Sequence, residues 1–180
     1  MRKFLITFLL GVFTCIIMYA IAVWQGLGSF LFAWILNFLL MVVVLYFTES
    51  TKPKLTSNFF ESKKWEKEGR IYEWVGINFF RKLLVIIGWE KLNKTNNPVK
   101  KDLNTLIQLE YNTRKSEFGH ILIFIIVLAV TIFVTIQFSM KETIWLIILN
   151  VILNVYPILL QRYNRPRIKR LMIKYSVKNI

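Results

Sequence analysis

"FLITFLLGVFTCIIMYAIAVW", residues Phe4–Trp24, decides the fold, because it is a long apolar run without a single charged side chain. A helix needs about 20 such residues to cross a hydrocarbon core of about 30 Å. Three further runs approach this length, namely Phe30–Phe47, Phe118–Phe138 and Thr143–Leu160. The short connections "QGLGS" and "SMKET" join the first pair of runs and the second pair. We therefore predict four transmembrane helices arranged in two hairpins.

The composition argues against a soluble domain. The 180 residues are 56% hydrophobic and have a mean hydropathy of +0.50, which is more apolar surface than a soluble domain of this size can bury. We expect an all-α integral membrane protein that forms one membrane domain over residues 1–180. The first run is too long for a typical signal peptide and is expected to be retained. The single cysteine, Cys15, excludes a disulfide within the chain.

Basic residues are distributed unevenly along the chain. Of the 24 lysines and arginines, all except Lys141 fall in the amino-terminal tip, in segment 48–117 or in the tail 161–180. Since basic residues flank membrane spans on the cytoplasmic side, both termini and segment 48–117 are expected to be cytoplasmic. The net charge of +14 therefore indicates anionic lipid headgroups or a phosphate-bearing substrate as partner, rather than nucleic acid.

One apolar segment within 48–117, Ile71–Trp89, is not expected to cross the membrane. A span here would place Arg81 and Lys82 in mid-bilayer, at a cost of about 2.5–3.5 kcal/mol each. It would also move the basic tail to the other side. We predict an interfacial or re-entrant helix whose tryptophans lie at headgroup depth.

The stretch "LEYNTRKSEFGH", Leu109–His120, carries polar groups into the third run. At 100° per residue, one helix face holds Glu110, Thr113, Glu117 and His120, with Arg114 beside them. His120 is the only histidine, and Glu117 lies one turn before it, close enough to orient the imidazole. The alternative is that Glu117 pairs with Arg114 on a solvated helix end while His120 only caps the interface. Ionisable groups at membrane depth favour a functional site.

The fourth run and its continuation supply a second polar group. Asn150, Asn154, Pro157 and Gln161 recur at helical spacing. Asparagines here can simply join helices by hydrogen bonds, which is the interpretation that we adopt for Asn150. Pro157 frees a backbone carbonyl one turn earlier.

"QRYNRPR", Gln161–Arg167, adds guanidinium groups suited to bidentate binding of phosphate or carboxylate, and a proline expected to end the helix. The predicted binding residues are Gln161, Arg162, Asn164, Arg165 and Arg167. The predicted topology places His120 and Glu117 at the depth of this cluster. One shared pocket at the cytoplasmic leaflet, to which Asn154 and Arg114 also contribute, is therefore expected.

"TRKSEFGH", "NVYPILL" and "QRYNRPR" together resemble the glycosyl-4,4'-diaponeurosporenoate acyltransferases, bacterial membrane proteins of carotenoid synthesis. The matching positions are Thr113–Glu117, His120, Asn154, Val155, Ile158 and Gln161–Arg167. The resemblance implies transfer of a fatty acyl group, from acyl-CoA or acyl carrier protein, to a sugar hydroxyl of a glycosylated carotenoid acid or related glycolipid in the bacterial cell membrane.

A mechanism follows as a hypothesis. His120 is the general base on the hydroxyl, and Glu117 orients its ring. Asn154 or Gln161 donates to the oxyanion, while Arg162, Arg165 and Arg167 hold the anionic donor.

No cofactor and no metal are predicted. Glu-x-x-His is half of a helical di-iron motif, which needs two histidines, and the chain has one. The alternative function is non-enzymatic, a small membrane protein that binds anionic lipid or a partner membrane protein. It accounts for the basic tail and the topology but not for Glu117 and His120 beside an arginine cluster.

Overall fold

The computed structural model describes residues 2–89, 91 and 102–177 of the chain. Within these residues the regular elements are all helical. They are α1 (Arg2–Gln25), α2 (Phe30–Thr51), α3 (Ile71–Trp74), α4 (Ile77–Ile86), α5 (Leu103–Gln137), α6 (Ile144–Asn150) and α7 (Tyr156–Val177). Short 3-10 turns cover Asn58–Phe60, Lys64–Gly69 and Met140–Thr143, and a π-helical turn, Val151–Val155, joins α6 to α7.

The prediction of an all-α protein with four membrane helices is confirmed. Four continuous helices are long and apolar enough to cross a membrane: Arg2–Gln25, Phe30–Thr51, Leu103–Gln137 and Met140–Val177. Their outward side chains are large and apolar, as expected for surfaces in contact with lipid; Phe8, for example, is 67% exposed. The last two helices extend well beyond the apolar runs, so each carries polar residues at one end.

The segment Ile71–Trp89 is helical but does not form one continuous helix. Gly76, with a φ of 82°, separates α3 from α4. Glycine adopts this left-handed conformation without strain, whereas a residue with a side chain would be strained there. Neither helix is long enough to cross a membrane. Trp74 and Ile86 are 89% and 80% exposed. The interfacial position of this segment stays a prediction.

Pro166 does not end the last helix, contrary to the expectation. α7 continues through it to Val177. Proline lacks the N–H that would bond to the carbonyl four residues earlier, which is that of Arg162. The backbone of Gly69 approaches the same turn: a Cβ on Gly69 would lie 3.4 Å from the Arg162 carbonyl oxygen. The helix is therefore uninterrupted at Pro166, and the backbone of Gly69 packs against the turn that contains the Arg162 carbonyl.

The chain divides into two compact units. The apolar unit comprises Met1–Pro53 and Phe118–Val155, and the polar unit comprises Lys54–Glu117 and Tyr156–Ile180. Helix α5 contributes to both, with the division between Glu117 and Phe118. The expectation of one membrane domain over the whole chain stays a prediction.

The apolar unit has a core of buried aliphatic and aromatic side chains from α1, α2, α5 and α6. They include Met18, Ile21, Phe32, Ala33, Leu36, Val44, Ile123, Val127, Val134, Leu146 and Leu149. Helix α2 begins at a defined point, because the Ser29 hydroxyl accepts a hydrogen bond from the Phe32 N–H at 3.1 Å. The polar unit has a smaller apolar cluster of Tyr72, Ile77, Phe80 and Tyr163.

Candidate functional site

The apolar unit contains a cluster of amides around the only histidine. Asn37 of α2, Asn150 at the end of α6 and Asn154 in the π-helical turn are all at least 96% buried, and His120 of α5 is half-buried. The His120 Nδ1 lies 3.3 Å from Asn154 Oδ1. The Asn154 Nδ2 donates to Asn37 Oδ1 at 2.7 Å and to Asn150 Oδ1 at 2.9 Å. Three separate segments therefore meet through side-chain hydrogen bonds.

The backbone at this cluster is irregular, and Pro157 explains part of the irregularity. Its missing N–H frees the carbonyl of Leu153, four residues earlier, and that carbonyl interacts with the His120 imidazole. The π-helical turn Val151–Val155 surrounds Leu153 and carries Asn154. Such turns within α-helices are frequent at functional sites. The carbonyl that the sequence predicted to be free is thus the one beside the histidine.

A small cavity of about 50 Å³ adjoins the cluster. Asn37, His120 and Asn154 supply its polar groups, while Phe38 and Met41 form part of its apolar wall. Since one water molecule in the liquid occupies about 30 Å³, the cavity has room for a water molecule or a single hydroxyl group but not for a sugar ring. Phe38 is 39% exposed on the outside of α2, so this wall reaches the surface of the unit.

The polar unit has a buried charged core centred on Glu117. This carboxylate is fully buried and accepts from Arg162 Nε at 2.7 Å and from Arg165 Nη2 at 2.5 Å. Its two oxygens are thus engaged by guanidinium groups of α7. The side chain recorded beside the His120 ring is that of Asn154, and the catalytic roles predicted for Glu117 and His120 stay predictions. The suggested pairing of Glu117 with Arg114 is wrong.

Both arginines also hold the segment Leu55–Phe60. Arg162 donates to the Phe59 carbonyl at 2.7 Å, and Arg165 donates to the Phe60 carbonyl at 2.5 Å. Arg165, which is 1% exposed, further donates to Thr113 Oγ1 at 3.0 Å. All three nitrogens of each guanidinium therefore have protein acceptors, once the ion pair of Arg162 with Glu66 is included.

Arg114 has a similar role at the other end of this segment. It bonds to Glu110 at 2.7 Å, to the Leu55 carbonyl at 2.9 Å and to Glu61 at 2.9 Å. Hydrogen bonding from Lys169, with a smaller contribution from Arg114, lowers the pKa of Glu61 below its ordinary value of 4.5. Arg114 is thus engaged by protein groups of the polar unit.

Glu66 and Tyr72, which the sequence did not indicate as site residues, extend the charged core. Glu66, 1% exposed, accepts from the Tyr72 hydroxyl at 2.8 Å and from the Lys63 N–H at 3.0 Å. Burial, and then the hydrogen bond to Glu66, raises the pKa of Tyr72 well above its ordinary value of 10.0. No local signal distinguished Glu66 within "ESKKWEKEGR", where charged residues surround it.

The remaining residues of "QRYNRPR" are less constrained. The Arg167 guanidinium lies over the Tyr163 ring, 3.5 Å from its centroid, and 3.5 Å from Glu73. Within the described residues, the structure records no hydrogen bond from the side chains of Gln161 or Asn164. The predicted binding roles of these three residues stay predictions.

Asn37 was also missed, although a signal was present. It is the only strongly polar side chain within the run Phe30–Phe47. An amide in mid-span needs a partner and is therefore a candidate for a site or a helix contact. As for metals, no group of three or more His, Cys, Asp or Glu side chains in the described part of the chain is arranged to hold an ion.

The geometry can be set beside known proteins. The sequence profile of the glycosyl-4,4'-diaponeurosporenoate acyltransferase family matches residues 56–174, about two thirds of the chain. That range contains the three motif stretches, His120 and the charged core. Comparison with curated proteins and comparison with solved structures each give no match. The four apolar helices agree with a membrane acyltransferase of carotenoid biosynthesis. The chain belongs to the glycosyl-4,4'-diaponeurosporenoate acyltransferase family.

Proposed function

We propose that this protein esterifies a sugar hydroxyl of a glycosylated carotenoid acid, or of a related glycolipid, with a fatty acyl group from a thioester donor. The observation that carries the proposal is a half-buried imidazole at a cavity in an apolar, membrane-spanning unit. The cavity has room for a hydroxyl group, and its wall reaches the outer surface at Phe38. A lipid-soluble substrate in the bilayer can approach such a site from the side.

His120 acts as the general base in this mechanism. Its Nδ1 faces Asn154, and its Nε2 takes the proton of the sugar hydroxyl as the hydroxyl oxygen attacks the thioester carbonyl. The C–O bond forms, the C–S bond breaks, and the proton passes from His120 to the departing thiolate. Asn154 orients the ring. It does not donate to the oxyanion, because both amide hydrogens are already given to Asn37 and Asn150.

The charged core of the polar unit is assigned a structural role. Arg162 and Arg165 pair with buried carboxylates and hold backbone carbonyls of Phe59 and Phe60, which fixes this segment against α7. Of the three arginines predicted to hold the anionic donor, Arg167 is the best candidate, because its side chain is 35% exposed.

Activity tests this assignment directly. His120→Ala is expected to lower the rate of product formation by a factor of about 10²–10⁴, the usual contribution of a general base, with unchanged protein in the membrane. The measurement is mass spectrometry of acylated glycolipid in cells that supply the glycosylated carotenoid. Thr131→Val is the matched control, since Thr131 is a buried residue of α5 whose hydroxyl donates to the carbonyl of Val127 in its own helix. Full activity in His120→Ala would refute the proposal. The remaining function would then be the non-enzymatic one, a membrane protein that binds anionic lipid or a partner membrane protein.

We also propose that both termini face the cytoplasm, since 23 of the 24 basic residues lie in the tip, segment and tail assigned to that side. The test starts from a Cys15→Ser background, which contains no cysteine. Ser139→Cys and Lys174→Cys are then treated in intact cells with an impermeant maleimide. Labelling of Ser139→Cys alone is expected, whereas labelling of Lys174→Cys alone reverses the topology.

A further inference from the structure

The amide cluster specifies more than the position of His120. Each asparagine side chain has one end that donates and one that accepts, so its orientation is set by its neighbours. Backbone carbonyls accept and never donate, and two of them lie at the ends of this cluster. The direction of every hydrogen bond in between can therefore be followed from these fixed ends.

The first fixed end is the carbonyl of Ala33. It accepts from Asn37 Nδ2 at 2.8 Å, which turns Asn37 Oδ1 towards Asn154. The second fixed end is the carbonyl of Phe124, which accepts from Asn150 Nδ2 at 3.3 Å and turns Asn150 Oδ1 towards the same amide.

Asn154 is therefore left with one possible orientation. Its Nδ2 meets two acceptor oxygens, one from Asn37 and one from Asn150, and its Oδ1 faces His120 Nδ1. With the amide reversed, two pairs of acceptor oxygens would face each other in a buried site, and only His120 Nδ1 would be left to accept from Asn154 Nδ2. An acceptor opposite Nδ1 favours the hydrogen on Nδ1, and the Leu153 carbonyl is a second acceptor beside the ring.

We propose that Asn37 is a positioning residue that, through Asn154, holds the neutral His120 ring in the tautomer with hydrogen on Nδ1 and a bare Nε2. This deepens the proposed function and rests on it for its catalytic meaning, since the bare Nε2 is the atom that takes the hydroxyl proton. A ring in the other tautomer presents an N–H at that place and cannot act as a base.

The tautomer itself can be measured without any activity assay. Because His120 is the only histidine, protein labelled with ¹⁵N-histidine and purified without a histidine tag gives the signals of one ring. Bare and protonated ring nitrogens differ widely in ¹⁵N shift. We expect a protonated Nδ1 and a bare Nε2 at a pH where the ring is neutral. Hydrogen on Nε2 in the unaltered protein would overturn the proposal.

Variants then test the part played by Asn37. Asn37→Leu removes the acceptor from Asn154 and is expected to release the tautomer into a mixture, with kcat lower by on the order of tenfold and KM little changed. Asn154→Asp offers acceptors alone and is expected to keep the hydrogen on Nδ1. Thr135→Val is the control, since Thr135 bonds to the carbonyl of Thr131 in its own helix. An unchanged tautomer in Asn37→Leu would overturn the role of Asn37.

The experiments can contradict the proposed function and the tautomer assignment independently of each other. The predicted tautomer together with full activity in His120→Ala overturns the proposed function and leaves the tautomer assignment standing. Hydrogen on Nε2 together with lost activity in His120→Ala overturns the tautomer assignment and the role of Nε2 as the base, and it leaves His120 essential for the esterification. If Asn37→Leu does not fold, the unaltered protein and Asn154→Asp decide, since hydrogen absent from Nδ1 in either contradicts the proposal.

Discussion

Replacing Glu117 by glutamine should strongly destabilise the protein through Arg165. Glu117 is fully buried, and within the described residues it is the only carboxylate paired with Arg165, which is itself 1% exposed. Removing one member of a buried pair leaves an uncompensated charge, which costs about 3–5 kcal/mol. Arg162 is less affected, because it keeps its ion pair with Glu66.

The size of the effect can be expressed as a melting shift. For a chain of this length, 1 kcal/mol corresponds to about 2–4 °C, so the midpoint should fall by about 6–20 °C. The assay is thermal unfolding in detergent micelles followed by the fluorescence of the six tryptophans. Glu68→Gln is the matched control: its pair with Arg170 is 3.5 Å long and exposed, and its loss should cost less than about 1 kcal/mol.

A double variant sharpens the test. Glu117→Leu with Arg165→Met removes both charges, so no buried charge is left unpaired, and it should recover much of the loss seen in Glu117→Gln. The reasoning is refuted if Glu117→Gln and Glu68→Gln have the same melting temperature, because the Glu117 carboxylate would then not compensate the charge of Arg165.

Three further substitutions test other parts of the polar unit. The lowered pKa of Glu61 means that its contribution is present above pH 4.5 and is lost as the pH falls below it; Glu61→Gln should therefore flatten the loss of melting temperature in acid. The raised pKa of Tyr72 means that its contribution is present below pH 10.0 and is lost above it. Tyr72→Phe should cost about 1 kcal/mol at neutral pH and reduce the alkaline loss. Gly69→Ala should cost about 1–3 kcal/mol, because Gly69 has a φ of 86° and its Cβ would lie 3.0 Å from Tyr163 Cα.

Each of these has its own control. The loss of melting temperature in acid and in alkali is compared with that of Glu68→Gln. If Glu61→Gln leaves the acid loss unchanged, or Tyr72→Phe leaves the alkaline loss unchanged, the assignment of that loss to Glu61 or to Tyr72 is contradicted. For Gly69→Ala the control is Gly11→Ala in α1, where an added Cβ meets no heavy atom within 4 Å. Equal melting temperatures for the two glycine variants would show that the close approach to Tyr163 does not matter.

Much of the candidate site was accessible from the sequence, but its pairings were not. The sequence indicated His120, Asn154 and Glu117, because polar groups in or beside apolar runs are costly to bury and often mark a functional site. Local spacing suggested Glu117 with His120 or Arg114. The structure instead pairs Glu117 with arginines of α7, 45 and 48 residues away along the chain. Spacing within one helix can suggest only neighbours on that helix.

Asn37 shows a second limit. The run Phe30–Phe47 of α2 is apolar on all sides apart from this residue, so no apolar stripe indicates which face turns towards α6 and the π-helical turn. The hydrogen bond from Asn154 to Asn37 joins residues 117 positions apart and depends on that rotation. The sequence did, however, show that the amide lies in mid-span and needs a partner.

The sequence by itself determined that this is an all-helical membrane protein with four spans, since each of the four apolar runs is about long enough to cross the hydrocarbon core as a helix, which satisfies its own backbone hydrogen bonds. Its three motif stretches also indicated the family. Only the tertiary structure decided that Arg162 and Arg165 hold buried carboxylates and that Asn154 faces His120. The physical reason is that these partners come from distant segments, and the rotation and packing of whole helices select them.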